Sequence, residues 1–457
     1  MIRFRFRVVP VVVAAGLFCL TAVPASAQTA GSAAPASAPA TDSGRIDQLD
    51  REIADLKAQI AALKAGAAGS DSGRLAELER KLDLLASEIE KMRIGEAAQA
   101  DVSEHGLGPA ASKVYHAERG ISIGGYGEVV YQNFSSSRPS EVDLLRAVLY
   151  FGYKFDNQWV LNSEVEYEHG GETVEVEFAY LDYLWRPQAS FRAGRLLLPV
   201  GFLNELHEPT VYLGAKRPDV ETIVIPSTWR ENGFGLFGHA GPFSYRAFVL
   251  AGLKAEGFTD LGIREGRQEG IESKADDIAW VGRLDYTGLP GILVGGSAYA
   301  GDSGQGLRTA AGRRIGVGTR IYEAHAEWKW RGLEARALGV QATLDDVAAL
   351  NEILGRTGEE SIGSKIEGYY VQLGYDLLAG RGGEKALIPF ARYERYDTQK
   401  EVPAGFRRNP ANDVSSLTVG LSFKPIEHIV LKADYQDYNN AAHSGVDQLN
   451  VSIGYIF

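Results

Sequence analysis

The chain has 457 residues, among them 53 glycines and 21 tyrosines, and carries a formal net charge of −12. That acidic balance argues against a nucleic-acid partner, which needs a basic surface. Nothing after residue 27 approaches the 18 or so consecutive apolar residues of a membrane-crossing helix, and the only cysteine is Cys19, so disulfides, thiolate metal sites and cysteine nucleophiles are excluded from the rest.

Arg3, Arg5 and Arg7, the apolar run 8–23 and Ala25-Ser26-Ala27 predict a secretory signal peptide over 1–27. Residues 28–41 are rich in Ala, Ser, Pro and Thr and are expected to be a disordered leader. Ile46, Leu49, Ile53, Leu56, Ile60 and Leu63 then fall at a and d heptad spacing. The pattern restarts at Leu75, Leu78, Leu82, Leu85, Ile89 and Met92 after a glycine-containing break. Such narrow stripes predict a self-associating α-helical coiled coil over 42–94, joined to the remainder of the chain by a linker, 95–119.

From Gly120 onward the chain alternates polar and apolar residues in sixteen predicted strands. They fall near 120–134, 141–155, 157–168, 173–185, 188–197, 232–239, 242–252, 277–287, 291–301, 318–330, 332–344, 364–377, 384–397, 413–424, 428–438 and 447–457. Alternate connections are very short, such as Asp156-Asn157, Arg186-Pro187 and Ala240-Gly241, while the long ones, 198–231, 253–276, 302–317, 345–363 and 398–412, lie between them. Loop lengths sorted by parity predict an all-β transmembrane barrel over 120–457, antiparallel and up-and-down, with tight turns at one end. A backbone in lipid must pair every amide, so the sheet is expected to close.

The stretch 120–457 is similar to the sixteen-stranded porins of the phosphate-selective O and P type. The likeness is carried by Gly124-Gly125-Tyr126-Gly127-Glu128, by the Arg146 strand ending Tyr150-Phe151-Gly152-Tyr153, and by Phe178-Ala179-Tyr180-Leu181-Asp182-Tyr183. Arg192-Ala193-Gly194-Arg195, Pro199-Val200-Gly201, Trp229-Arg230-Glu231-Asn232-Gly233-Phe234-Gly235 and Pro389-Phe390-Ala391-Arg392-Tyr393-Glu394 complete it. The resemblance implies a trimeric outer-membrane channel for small solutes, anions such as phosphate or organic acids above all. It also implies a third outer loop, 198–231, folded into the lumen as a constriction, and a periplasmic place for the coiled coil 42–94.

That loop carries Glu205, His207, Glu208, Lys216, Arg217 and Arg230 as expected solute contacts. Strand parity adds Arg146, Arg192, Arg283, Lys329, Arg336, Arg392, Lys424 and Lys432, because a charge facing lipid costs about 2–4 kcal/mol. Facing inward with them are Glu128, Glu168, Asp285, Glu323, Glu327, Glu334, Glu394 and Asp434, and an acidic group formed by Glu164, Glu166, Glu175 and Glu177. Arg308, Arg313 and Arg314 on the fifth outer loop are expected to collect anions. The acids depart from the basic ladder of a phosphate channel.

The histidines show no metal-ligand spacing and no nucleophile or phosphate-loop motif is present, so neither an enzyme nor a cofactor is expected. Two alternatives stay open. One is a structural envelope protein whose barrel is plugged by its loops; the other is a channel for sugars or aromatic compounds stacking on Tyr150 and Tyr370. Phe457, at the end of a strand, is expected to be the recognition residue of the assembly machinery that inserts barrels into outer-membrane lipid.

Overall fold

The computed structural model describes residues 103–457 except 382–383, together with 56–57 and 80–81. The expected signal peptide, leader and, but for those four residues, the coiled coil lie outside the described residues. Strands β1 (Gly120–Phe134), β2 (Glu141–Lys154), β3 (Trp159–Glu168), β4 (Thr173–Arg186), β5 (Ala189–Leu197), β6 (Arg230–Ala240), β7 (Phe243–Ala251) and β8 (Ile278–Leu289) form one half of the barrel. The other half is β9 (Ile292–Asp302), β10 (Gly318–Trp330), β11 (Leu333–Leu344), β12 (Lys365–Tyr375), β13 (Ala386–Glu401), β14 (Asp413–Ile426), β15 (Ile429–Asn440) and β16 (Gln448–Ile456). Each pairs antiparallel with its sequence neighbours, and β1 pairs with β16, so the sixteen strands close.

Alternation decides which way each residue faces. On β16, Leu449, Val451, Ile453 and Tyr455 stand on the outside, 42–45% exposed, while Gln448, Asn450 and Ser452 are buried within. The same rule gives an outer wall of Ile, Leu, Val, Phe, Tyr and Trp around the whole barrel. Among the described residues no helix is long and apolar enough to cross a membrane. One end of the barrel carries tight turns such as 187–188, 241–242 and 331–332, and the other carries loops L1 to L8 in chain order. Of these, L1 spans 135–140, L3 198–229, L4 252–277, L5 303–317 and L8 441–447.

Two features differ from the sequence reading. Strand β13 runs to Glu401, because Asp397, Thr398 and Gln399 are buried among the loops despite their polarity. In the stretch read as a linker, helix α1 (Pro109–His116) packs on the inner faces of β1, β2 and β3. Glycines make room for it: a Cβ on Gly124 would stand 2.8 Å from the Ala110 oxygen, and one on Gly152 would stand 2.6 Å from the Val114 Cβ.

The closing seam depends on one more glycine. Gly125 and Phe457 exchange backbone hydrogen bonds of 3.0 and 2.9 Å. A Cβ on Gly125 would lie 2.7 Å from the Phe457 ring. The same Cβ would run into the Val148 oxygen of β2, so Gly125→Leu is expected to strain β1 against both neighbours and to reduce the fraction of protein that migrates as a folded, heat-modifiable barrel on electrophoresis. An unchanged fraction would mean that the seam tolerates the added side chain.

Candidate functional site

Loop L3 does not stay at the rim; it runs through the lumen, and most of its residues are buried. Its backbone is irregular there, so its N–H and C=O groups need partners other than a strand ladder. The barrel wall supplies them. Lys424 donates to the Thr210 oxygen at 2.8 Å and Lys432 to the Gly214 oxygen at 3.0 Å. Arg283 donates to the Gly201 oxygen, and Arg264 of L4 donates to the Thr222 oxygen at 2.9 Å. Carboxylates take the N–H groups: Asp434 accepts from Ala215 at 2.6 Å and Glu394 from Val220 at 3.2 Å.

The expected pore charges are consumed in the same way. Arg192 is clamped by Asp182 at 2.9 Å and the Tyr115 hydroxyl at 2.9 Å, and lies over the Tyr180 ring. Arg392 pairs with Glu394 at 2.7 Å, and Arg146 lies 3.7 and 3.6 Å from Glu128 and Glu166. Arg230 pairs with Glu177 at 3.1 Å and with Glu175. His207 Nε2 is 3.2 Å from Glu164, and both side chains are buried beside Tyr126. Glu205 pairs with Arg246 at 3.2 Å, which also donates to Asp285 at 2.8 Å. Glu208 accepts from Ala110 and Ala111 at 3.0 and 3.2 Å, capping the start of α1. Instead of a ladder facing water, the structure forms an interior of matched charges around L3.

Two loop cations are different. Arg217 takes only a carbonyl, that of His207 at 3.1 Å, and Lys216 faces a cavity of about 450 Å³ at the loop end. Arg138, Ser136, Gln132, Gln448 and Ser444 line it too, without a carboxylate. The loop-end arginines are less free than expected: Arg313 pairs with Asp346 at 3.4 Å and Arg314 with Asp277 at 2.6 Å. Arg308 donates to the Gly312 oxygen at 3.0 Å within its own loop. At the turn end a cavity of about 470 Å³ lies beneath L3, bordered by Phe202, Leu206, Leu293, Arg336 and Lys424. Tyr150 and Tyr370 are 4% and 1% exposed, so neither offers a ring face to a solute.

Sequence reasoning missed Tyr115, Asp182, Arg246 and His325. Arg246 shares the inward face of β7 with Phe248 and Leu250, while Ala247 and Val249 face out. Both faces of that strand are apolar, so no contrast marks the arginine. His325 joins Glu323 at 2.7 Å and Asp285 at 3.0 Å. Among the described residues no group of His, Cys, Asp or Glu could hold a metal ion.

The arrangement defines a class, that of sixteen-stranded barrels of porin architecture whose third loop crosses the lumen. No family model matches the chain. An uncharacterized protein of Aquifex aeolicus is 38% identical over 353 residues, which span 73% of this chain and 80% of that protein. The chain belongs to the same family as that protein. Among solved structures, OmpF of Salmonella typhi in complex with daunomycin is 14% identical with a TM-score of 0.50, covering 74% of this chain and 98% of that one. An anion-selective porin from Comamonas acidovorans is 13% identical with a TM-score of 0.47, covering 74% and 100%. The trimer form of OmpT, an outer membrane protein of Vibrio cholerae, is 11% identical with a TM-score of 0.48, covering 74% and 99%. The OmpF comparison shows the shared barrel fold.

The matched interior generates two expectations. Arg392 and Glu394 are almost wholly buried, so Arg392→Met leaves an unpaired carboxylate and should cost about 3–5 kcal/mol. The measurement is the temperature at which the barrel loses its folded migration on electrophoresis; no change would place Glu394 in contact with water. His105, in the segment before α1, packs between Tyr115 and Phe237 at 4.7 and 4.8 Å. Burial, aided by the charges of Arg192 and Arg246, lowers its pKa from 6.5 to about 3. The folded state therefore favours neutral His105, and the stability this gives is present above 6.5 and lost as pH falls toward 3. Acidifying from neutrality to about pH 5 should destabilise the wild type more than His105→Leu, read as the difference in thermal transition.

Proposed function

We propose that this chain is a channel of a bacterial outer membrane, passing small hydrophilic solutes with a weak preference for anions such as phosphate or organic acids. The reading is supported above all by one observation: an apolar outer wall closed on itself around a charged interior that L3 and α1 narrow. Closure leaves no strand edge for lipid to meet, and a charged lumen narrowed by a loop can discriminate among polar solutes. In this placement the turn end faces the periplasm, where the coiled coil 42–94 would lie after removal of residues 1–27. The loop end faces outward, the barrels assemble as a homotrimer, and Phe457 is read by the insertion machinery.

The anion preference rests on Lys216 and Arg217, which have no carboxylate partner among the described residues, and on the cavity that Lys216 faces, where the other cation, Arg138, is paired with Glu141. Selectivity is set where an ion cannot stay a Debye length (~8 Å) from the wall. The preference is weak because Arg146, Arg192 and Arg392 are already paired, which also separates this chain from a phosphate-selective ladder. A second reading, a structural envelope protein with a plugged barrel, draws support from the burial of L3 and α1.

Planar-bilayer recording in a KCl gradient separates these readings. The channel reading expects discrete conductance with a reversal potential on the anion side, lost when Lys216 and Arg217 are both changed to Glu. Cation preference in the wild type would end the anion assignment and leave the channel. A chain that inserts yet never conducts would favour the structural reading.

A further inference from the structure

Helix α1 is only 8 residues long, and Gly108 at its start makes no side-chain cap. A helix this short does not hold itself together in water, so its shape depends on its seat in the barrel. The cap comes from L3: Oε1 of Glu208 accepts from both Ala110 and Ala111. Asn162 of β3 donates to the Ala111 oxygen at 2.9 Å, and Lys154 of β2 donates to the Tyr115 oxygen at 2.9 Å. The Tyr115 hydroxyl bridges Asp182 and Arg192 at 2.7 and 2.9 Å. The surface so covered is lined by Gly124 and Gly152, whose missing side chains leave a notch the width of a small-residue helix.

The attachment of this segment is also unusual. It joins β1 at Gly120, whose φ of +101° lies in the region that favours glycine, with nothing within 4 Å of an added Cβ. Five polar side chains, Glu208, Asn162, Lys154, Asp182 and Arg192, and the burial of Leu107, Ala110, Ala111 and Val114 thus hold the helix in the turn end of the lumen, with Gly120 as its joint. Ser103 and Pro109, before and at the start of α1, border the 470 Å³ cavity beneath L3.

From this geometry we propose that residues 103–119 are a removable plug, and that its seat locks L3 through Glu208, so that the channel opens from the periplasmic side when the segment swings out about Gly120. The inference rests on the channel reading for its consequence but not for its motion. With the plug seated, Glu208 is fixed to the helix and the L3 stretch from Glu205 to Thr210 has two supports, the wall and α1. With it displaced, the notch and the cavity below L3 join, and Glu208 loses both donors. Glu208 is thus a positioning residue that acts on the pore through the helix, and not a solute contact.

The test uses the full chain in a Cys19→Ser background. Val114 is 2% exposed, so Val114→Cys reacts with a membrane-impermeant maleimide only when the helix leaves. Glu208→Ala removes the acceptor of both helix N–H groups, and Tyr115→Phe removes the bridge to Asp182 and Arg192; each is expected to raise the labelling rate about tenfold. Having two variants on different contacts guards against one that fails to fold. Equal labelling in both variants and the parent would overturn the plug, whether or not the protein conducts.

The second arm pairs Val114→Cys with Gly152→Cys. Their Cβ atoms would stand 2.6 Å apart, so the bridge needs a shift of about an ångström, and Gly152→Cys alone is the control for the side chain it puts into the notch. Oxidation should hold conductance at its lowest level and reduction should release larger steps. Conductance indifferent to oxidation, once the bridge is shown to form, would overturn the gating role. If reduced and oxidised forms both fail to conduct, the channel reading falls and labelling alone decides whether the segment moves.

Discussion

Everything inside this barrel follows from the need to satisfy an irregular backbone away from bulk water. A strand segment pairs its amides with its neighbours, but L3 crosses the lumen without a ladder. The wall answers with ions. Cationic side chains from β8, β14 and β15 reach its carbonyls, and carboxylates from β13 and β15 reach its N–H groups. Charged donors and acceptors make stronger hydrogen bonds than neutral ones, and a barrel interior is the one place where a strand can present them without meeting lipid. The loop's path is therefore written in the wall as much as in the loop.

That division of labour changes what lumenal charge means. Lys424 and Lys432 face inward, as the avoidance of lipid requires, yet both are engaged with carbonyls of L3. Asp434 serves Ala215 and Asn450 together. Inward direction and contact with solute are separate properties, and only the first is carried by strand parity. The distinction also accounts for the tyrosines: Tyr212 and Tyr370 give their hydroxyls to Glu128 and Glu221, both at 2.6 Å, and close off their rings.

The barrel itself was legible because two physical periods coincide in the sequence. Side chains alternate every residue, and the connections alternate between short and long, so the strands could be placed within a few residues of where they lie. L3 was legible as a loop by its length and its prolines, and its inward course by resemblance. Helix α1 was not. Pro109-Ala110-Ala111-Ser112-Lys113-Val114-Tyr115-His116 has a good first-turn proline but too few large apolar residues to mark a buried face. Its only trace lies in the strands opposite, where Gly124 and Gly152 occupy inward positions that a wide pore would have filled with polar side chains. Arg246 was hidden for a related reason: L3 and the segment before α1 bring apolar groups inside, so polarity no longer distinguishes the two faces of β7.

If the barrel conducts as proposed, a chain with a net charge of −12 and a lumen rich in glutamates can still favour anions. Matched pairs such as Arg392–Glu394 and Arg246–Glu205 act on a passing ion as dipoles, whose fields fall off faster than those of single charges. A carboxylate that accepts from a backbone N–H group, as Asp434 does from Ala215, has part of its charge answered at short range. What reaches the solute is the remainder, carried by groups without an opposite partner at the edge of a cavity. Lys216 has that position on L3, with Arg217 beside it holding a single carbonyl. On that reading the sign of the whole chain and the sign at the cavity bordered by Lys216 are independent, because the first counts every charge and the second only those that the fold has left unmatched.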